Sequence, residues 1–268
     1  MDRVWALFLM FSIYSFLGWT CESIFCSIPA GRFINRGFLN GPFCPIYGAG
    51  GMLVIALLTP MRENVLLLFA AGAALTSLLE YATGYAMEKL FHTKYWDYSD
   101  HRFNLRGRVC LENSILFGLM SVAAVRILDP AVSGLVARIP LPALPFISGG
   151  MMLYFLCDTA VSTAVAMKLN GKLAELQQVL DEIRARAHTA GIETIEVLQA
   201  TIAERLDDGT KERIKALYER KDKLENGVRM MQRRIIRAFP TMKSLRSNES
   251  LQRVRGILQS GAEKIRKK

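Results

Sequence analysis

Apolar residues dominate the first 167 positions in five runs, each broken only by small or isolated polar side chains. Residues 4–25 form the first run, and as a helix they would extend about 33 Å, enough to cross the hydrocarbon core of a bilayer. Near its far end Ser15, Gly18, Glu22 and Cys26 recur at three- and four-residue spacing, so one face is small and polar. Residues 44–59 form a second, shorter run. It opens on Cys44-Pro45 and carries Gly48, Gly50 and Gly51, a composition that starts a helix and lets its backbone approach a neighbour. The third run, 65–90, places Gly72, Thr76, Glu80, Gly84 and Glu88 at strict four-residue steps, which is one stripe along a helix. The fourth, 111–128, begins with Glu112 and has Ser114, Gly118 and Ser121 on a packing face. The fifth, 143–167, carries Asp158 with Tyr154 and Ser162 one turn away.

Between the runs, residues 28–43 hold too much Gly, Pro and Asn for a regular helix and predict a structured or re-entrant loop. Residues 91–108 are polar and aromatic, with Lys94, Arg102, Arg106 and Arg108. Residues 129–141 predict a connection. Beyond Met167 the pattern changes: Leu173, Leu176, Leu180 and Ile183 begin a heptad-like stripe, and Leu217, Lys221, Leu224, Val228, Met231 and Ile235 continue one at alternating steps of four and three. Asp207-Asp208-Gly209-Thr210 reads as the turn between two arms, with Thr210 able to cap the second. Pro240 stops that arm, and Leu251, Val254, Leu258 and Ile265 line a short basic amphipathic segment suited to an anionic membrane surface. The fold class is therefore all-α. A membrane bundle of about five spans with two inner motif loops occupies residues 1–167, and a basic cytosolic helical hairpin or coiled coil occupies 168–268. Self-association through the same stripes is the alternative to a hairpin.

Charge sets an orientation. Of the formal +10, residues 1–167 contribute 11 basic and 10 acidic side chains, so nearly all of the excess lies in the tail. With the tail inside, the loops 28–43 and 89–110 are inside too and hold more Lys and Arg than the outer regions. The expected topology is a multi-pass protein of the cytoplasmic membrane with its N-terminus outside and its C-terminus inside. The basic tail would then face anionic lipid headgroups. It has no zinc-finger spacing and no aromatic-rich basic motif, which argues against nucleic acid. The five cysteines are scattered without C-x-x-C spacing and read as small hydrophobes. The first run is too long for a cleaved signal and reads as a retained span.

This orientation brings Glu22, Glu80, Glu88, Glu112 and Asp158 to one leaflet, at the level of Arg32, Arg36, Arg106 and Arg108. The expectation is a polar cluster or solute path made of Glu22, Arg36, Asn40, Tyr47, Glu80, Tyr81, Trp96, Asp97, Arg106, Arg108, Glu112 and Asp158. An ionisable group inside a span is costly and a functional candidate by default. Glu80 is either a carboxylate that handles a proton or cation, or a structural one bonded to arginine or backbone. Glu22, Glu112 and Asp158 read as structural, Glu88 as solvated at the interface, and Trp96 and Tyr98 as interface anchors.

Chemistry-bearing motifs are sparse. The Gly171-Lys172 pair is followed by Leu173 and preceded by Ala166 where a Walker A loop needs its first glycine. Neither a nucleophile elbow nor an H-E-x-x-H helix is present. His92, Asp97, His101 and Cys110 match no established metal-ligand spacing. No catalytic residue, metal or cofactor is assigned.

Several motifs together resemble the bacterial membrane family described as putative ABC-transporter permease, type IV. They are Ser15-Phe16-Leu17-Gly18-Trp19 with Glu22; Asn35-Arg36-Gly37-Phe38-Leu39-Asn40-Gly41-Pro42 running into Pro45-Ile46-Tyr47-Gly48; Leu79-Glu80-Tyr81 with Thr83-Gly84; Glu88-Lys89-Leu90-Phe91; Trp96-Asp97-Tyr98; and Asn104-Leu105-Arg106-Gly107-Arg108. The resemblance covers roughly the first half of the chain and implies a transport component. Its energy would come from a separate ATPase docked on the inner loops. Two other classes stay open: a membrane scaffold or sensor whose helical tail recruits partners or a second copy, and a membrane-embedded enzyme acting on a lipid-linked substrate.

Overall fold

The computed structural model describes residues 2–189 and 208–266. They fall into two compact units: one holds Met1–Ala164 with Arg234–Met242, the other Val165–Arg233 with Lys243–Lys268.

The first unit is an all-α membrane bundle. Its helices are α1 (Asp2–Ala30), α2 (Pro45–Leu58), α3 (Val65–Phe91), α4 (Leu111–Ala123), α5 (Asp129–Ala137) and the beginning of α6 (Leu144–Thr189). Among the described residues four helices are long and apolar enough to cross a membrane: Arg3–Ala30, Val65–Phe91, Leu111–Ala137 and Leu141–Arg186. The apolar helix Pro45–Met61 is shorter. At 1.5 Å per residue it spans about 26 Å, slightly less than the hydrocarbon core.

Small residues set the helix contacts, as expected where lipid removes the hydrophobic incentive for helices to associate. Gly18 of α1 lies directly against the Tyr47 ring of α2, and Gly48 of α2 against Ser15 and the Phe11 carbonyl. Gly72 of α3 faces Ser121, and Gly118 of α4 faces Phe69 and Ala73. Ser77 and Ser114 hydrogen-bond between the same two helices at 2.7 Å. Asn64 caps α3 by accepting from the Leu67 amide at 3.0 Å.

Residues 129–141 are not the connection expected. Helix continues from α4 through a π-helical turn, Ala124–Leu128, into α5, and the link to α6 is reduced to a few residues. Pro130 lacks an amide proton, and its ring would strike the carbonyl four residues back in a regular α-helix. The wider π turn just before it accommodates both defects. The continuation is held from α1, where the Tyr14 hydroxyl donates to Asp129 at 3.3 Å. Val132 and Val136 pack with Leu9, Tyr14 and Leu144.

After α3, His92 at φ 48° turns the chain out of the helix. Residues 93–110 then fold back on themselves, with Asn104 opposite Cys110 and Leu105 opposite Val109 in a short antiparallel ladder. Arg106 and Gly107 make its tight turn at φ 55° and 69°. The Tyr98 amide donates to the Gly107 carbonyl at 2.8 Å.

In the second unit, the expected stripe Leu173, Leu176, Leu180 and Ile183 on α6 is fully buried. Against it lie α7 (Asp208–Asn226), whose Ile214, Tyr218 and Leu224 are buried, and α9 (Asn248–Arg266), whose Leu251 and Val254 are buried. Arg220 pairs with Glu175 at 2.7 Å, Arg184 with Glu249 at 3.0 Å, and the Ser250 hydroxyl donates to Gln177 at 3.0 Å.

Three expectations for the tail are corrected. The second arm is not one helix, because it breaks at Gly227 and restarts as α8 (Met230–Ala238), where Gln232 reaches back to the Arg229 amide at 2.9 Å. The break resets the stripe, leaving Met231 exposed while Ile235 and Ile236 are buried. Asp208, Gly209 and Thr210 belong to α7 rather than to a turn; Asp207 lies outside the described residues. The apolar face of the last segment is not free for a membrane at Leu251 and Val254, which join this unit's core. The side chain of Ile265 lies outside the described residues.

Candidate functional site

One end of the bundle carries both motif loops, and the polar residues gather there as three networks. The first centres on Arg36, whose Nε donates to Glu22 Oε2 at 2.9 Å. The Tyr47 hydroxyl donates to the other oxygen of Glu22 at 2.8 Å. Arg36 also donates to the Ala238 carbonyl and lies 5.0 Å from the centre of the Phe239 ring. Burial pulls the Arg36 guanidinium down, but the Glu22 charge and hydrogen bond, together with smaller contributions from Cys26 and Tyr98, outweigh it and leave the group above its ordinary value. Beside it, Trp19 Nε1 donates to Asn35 at 2.7 Å, and Asn35 in turn donates to the Asn40 carbonyl at 2.8 Å. Those two bonds fix the loop's path.

The second network closes the same loop from the other side. Asp158 of α6 accepts from the Asn40 amide at 3.0 Å, the Gly41 amide at 2.8 Å, the Asn40 side chain at 3.1 Å and Ser162 at 3.1 Å. Gly41 lies close under Tyr154, and a Cβ at that position would displace the Tyr154 hydroxyl. Arg234 of α8 then forks over the loop, donating to the Gly37 carbonyl at 3.0 Å, the Phe38 carbonyl at 2.8 Å and Asn40 Oδ1 at 3.1 Å. Its charge meets carbonyl oxygens rather than a carboxylate, and burial holds its pKa below the usual arginine value. Phe239 adds an edge-to-face contact with Tyr95 at 5.0 Å.

The third network joins α3 to the loop 93–110. Arg108 donates to Glu88 Oε2 from Nε at 3.0 Å and from Nη2 at 2.7 Å, and from Nη1 to the Tyr81 hydroxyl at 3.1 Å. Its guanidinium stacks over Tyr81 and Tyr85. Trp96 packs on Gly84 and donates to the Arg108 carbonyl at 3.0 Å. Glu88 is thus not solvated as expected, being 17% exposed and ion-paired. Trp96 likewise serves as packing and donor for this turn.

Glu80 stands between the first and third networks. It is 6% exposed, and its Oε1 accepts from the Tyr98 hydroxyl at 3.1 Å. Its Oε2 is buried with no hydrogen-bond partner among the described residues. Glu22 lies close enough for its charge to act on Glu80. Burial and the neighbouring Glu80 and Glu22 charges raise the Tyr98 hydroxyl well above the ordinary tyrosine value, which keeps it a donor.

Of the sequence-expected residues, the structure brings Glu22, Arg36, Asn40, Tyr47 and Asp158 to the first motif loop, and Glu80, Tyr81, Trp96 and Arg108 to α3 and the second. Asp97 turns the second loop by accepting from the Ser99 amide at 3.2 Å and hydroxyl at 2.5 Å. Arg106 is an exposed turn residue, and Glu112, 80% exposed, reaches His101 at 3.3 Å; among the described residues neither joins the three polar networks. Glu112 begins α4 on its outer face, where no arginine of the motif loops reaches it. Arg234 was not anticipated, since nothing local in the sequence marks it apart from its place beside the apolar pair Ile235-Ile236. Among the described residues no group of three or more His, Cys, Asp or Glu is arranged to hold a metal. An apolar groove lined by Val65, Phe69, Leu119 and Arg126 lies where α3 begins and α4 ends, and it contains none of the candidate residues.

All of this geometry apart from Arg234, Ala238 and Phe239 lies within residues 9–163, over which the chain matches the profile of the family described as putative ABC-transporter type IV. No curated protein and no solved structure matches the chain. The match takes in more than half of the 268 residues, both motif loops and the apolar helices around them; the chain is a membrane protein that belongs to the putative ABC-transporter type IV family.

Proposed function

We propose that this chain is the membrane-spanning permease component of a transporter whose ATPase is a separate polypeptide. The observation that carries the reading is the family match over residues 9–163, a segment that forms an apolar bundle closed at one end by two motif loops and has no phosphate-binding loop. In this reading the protein sits in the cytoplasmic membrane with its N-terminus outside, and the loops 31–44 and 92–110 face the cytoplasm as the docking surface for the ATPase. The charge count of the loops and tail supports that orientation. Affinity purification of the full chain from its native membrane tests it. A stoichiometric subunit bearing a Walker A loop, retained through detergent exchange, is expected; purification as a single species with no nucleotide-hydrolysing subunit would overturn it.

A second reading is favoured by the pairing of Glu22 with Arg36, of Glu88 with Arg108 and of Asp158 with the loop amides. Such saturated networks suit a scaffold that holds its helices fixed while the tail recruits a partner or a second copy. The two readings separate on whether nucleotide hydrolysis by a co-purifying subunit depends on this chain.

A further inference from the structure

Within the bundle, Glu80 and Glu22 bring two carboxylates to one polar cluster, and among the described residues Arg36 is the guanidinium that pairs there, with Glu22. The groups facing Glu80 come from five elements: Glu22 of α1 with its partners Arg36 from the first motif loop and Tyr47 of α2, Tyr98 from the loop 93–110, and the Asn113 side chain of α4. None of these is a cation that pairs with Glu80 among the described residues. Tyr98 donates to Oε1, and Oε2 is left 94% buried with its residue and unpartnered. A buried charge without a counter-charge is too costly to persist inside a membrane bundle.

From this arrangement we infer that Glu80 is an exchangeable proton-binding site, with Oε2 as the atom that takes the proton. The chemistry favours a proton over a metal cation. A small cation requires about six oxygen ligands. Around Glu80 the side chains supply Tyr98 and Asn113, and the backbone carbonyls of α3 are used in its own helix. One proton added to the pair Glu22 and Glu80 neutralises the cluster around Arg36. The step is a simple transfer: a proton leaves water and forms an O–H bond at Oε2, and nothing is oxidised or reduced. Tyr98, kept un-ionised by burial, holds Oε1 in both states. The site deepens the permease reading by naming an ion the bundle can bind, and its use in transport rests on that reading.

Labelling of the full chain in lipid vesicles with dicyclohexylcarbodiimide tests the site without any ATPase. This apolar reagent adds across a protonated carboxyl to leave a stable acylurea, so it reports buried protonated acids. Peptide mapping is expected to find the adduct on Glu80 and not on the arginine-paired Glu22 or Glu88. The yield should fall about tenfold per pH unit above the midpoint, following the protonated fraction. Infrared difference spectra between acidic and alkaline samples should contain a protonated-carboxyl band that Glu80→Gln removes. Absence of a Glu80 adduct at every pH where the chain stays folded, or a yield independent of pH, would overturn the proposal. Because the permease reading is tested by co-purification and this one by labelling, failure of either is told apart from failure of the other.

Discussion

Tyr98 donates its hydroxyl to Glu80 Oε1 at 3.1 Å, so one side-chain bond ties the second motif loop to the interior of α3. The bond sits in a run of contacts that uses the whole four-step stripe of α3. Gly72 packs on Ser121, Thr76 turns its hydroxyl back to the Gly72 carbonyl at 2.7 Å, Glu80 takes Tyr98, Gly84 takes Trp96, and Glu88 takes Arg108. The upper part of the stripe is helix packing and the lower part is loop attachment.

Replacing Tyr98 by Phe keeps the ring and removes the donor. Glu80 then loses its hydrogen bond in a buried site, which costs on the order of 1–3 kcal/mol. A lower unfolding temperature in detergent is expected, together with faster tryptic cleavage at Arg102 and Arg106. Unchanged cleavage would mean that the loop is held by Trp96 and Arg108 alone.

Alkaline pH should act through Tyr95 and Tyr98, both of which lie in the loop and are raised by burial. An unfolded tyrosine ionises near pH 10. Folded-state values above that leave the stability contributed by these hydroxyls intact below about pH 10 and remove it as pH rises further, because the unfolded chain then loses protons that the folded one retains. Tyrosinate absorbance from these two residues should therefore appear together with unfolding; its appearance in the folded chain near pH 10 would show that both rings reach solvent.

Arg234 joins three oxygens of the first motif loop through a planar fork that lysine cannot reproduce. Arg234→Lys and Arg234→Ala should be nearly equivalent, each losing about 3 kcal/mol or more from charge-assisted bonds to buried carbonyls. Thermal unfolding of the two variants beside the wild type checks this. A lysine variant as stable as the wild type would show that a point charge suffices.

Arg108 and Glu88 are 10% and 17% exposed, so removing one strands the other. Arg108→Ala alone should lose about 3–5 kcal/mol, and the double variant with Glu88→Ala should recover part of it. Additive losses in the cycle would contradict a direct pair.

Glycine at position 18 is set by the Tyr47 ring lying against it. Gly18→Ala forces α1 and α2 apart and should cost roughly 1–3 kcal/mol. It should also weaken the Tyr47 bond to Glu22, readable as a change in the tyrosine signal of α2. An alanine variant of full stability would mean that the two helices slide freely.

Much of this was legible from side-chain pattern. Periodicity located the helices, and the four-step stripe on α3 marked the face that the structure uses from Gly72 to Glu88. Composition alone could not place what depends on turns. Arg108 reaches Glu88 because Arg106 and Gly107 adopt positive φ and fold residues 93–110 back, so a residue twenty positions away becomes a neighbour. Residues 129–141 read as a connection, yet a π turn absorbs the defects of Pro130 and α5 goes on. Arg234 is separated from Asn40 by 194 positions, and no local pattern announces such a contact. The basic amphipathic face of α9 looked ready for a membrane, but Leu251 and Val254 have a closer partner in the tail's own core.

The proposed permease role and the proposed proton site at Glu80 meet in one measurement, nucleotide hydrolysis in proteoliposomes. The co-purified ATPase is assayed alone, with the wild-type chain, and with Glu80→Gln whose assembly is verified by size-exclusion chromatography. Stimulation by the wild type and its loss in Glu80→Gln is the predicted result. Hydrolysis at the same rate with and without the chain would show that this protein is not the ATPase's membrane partner.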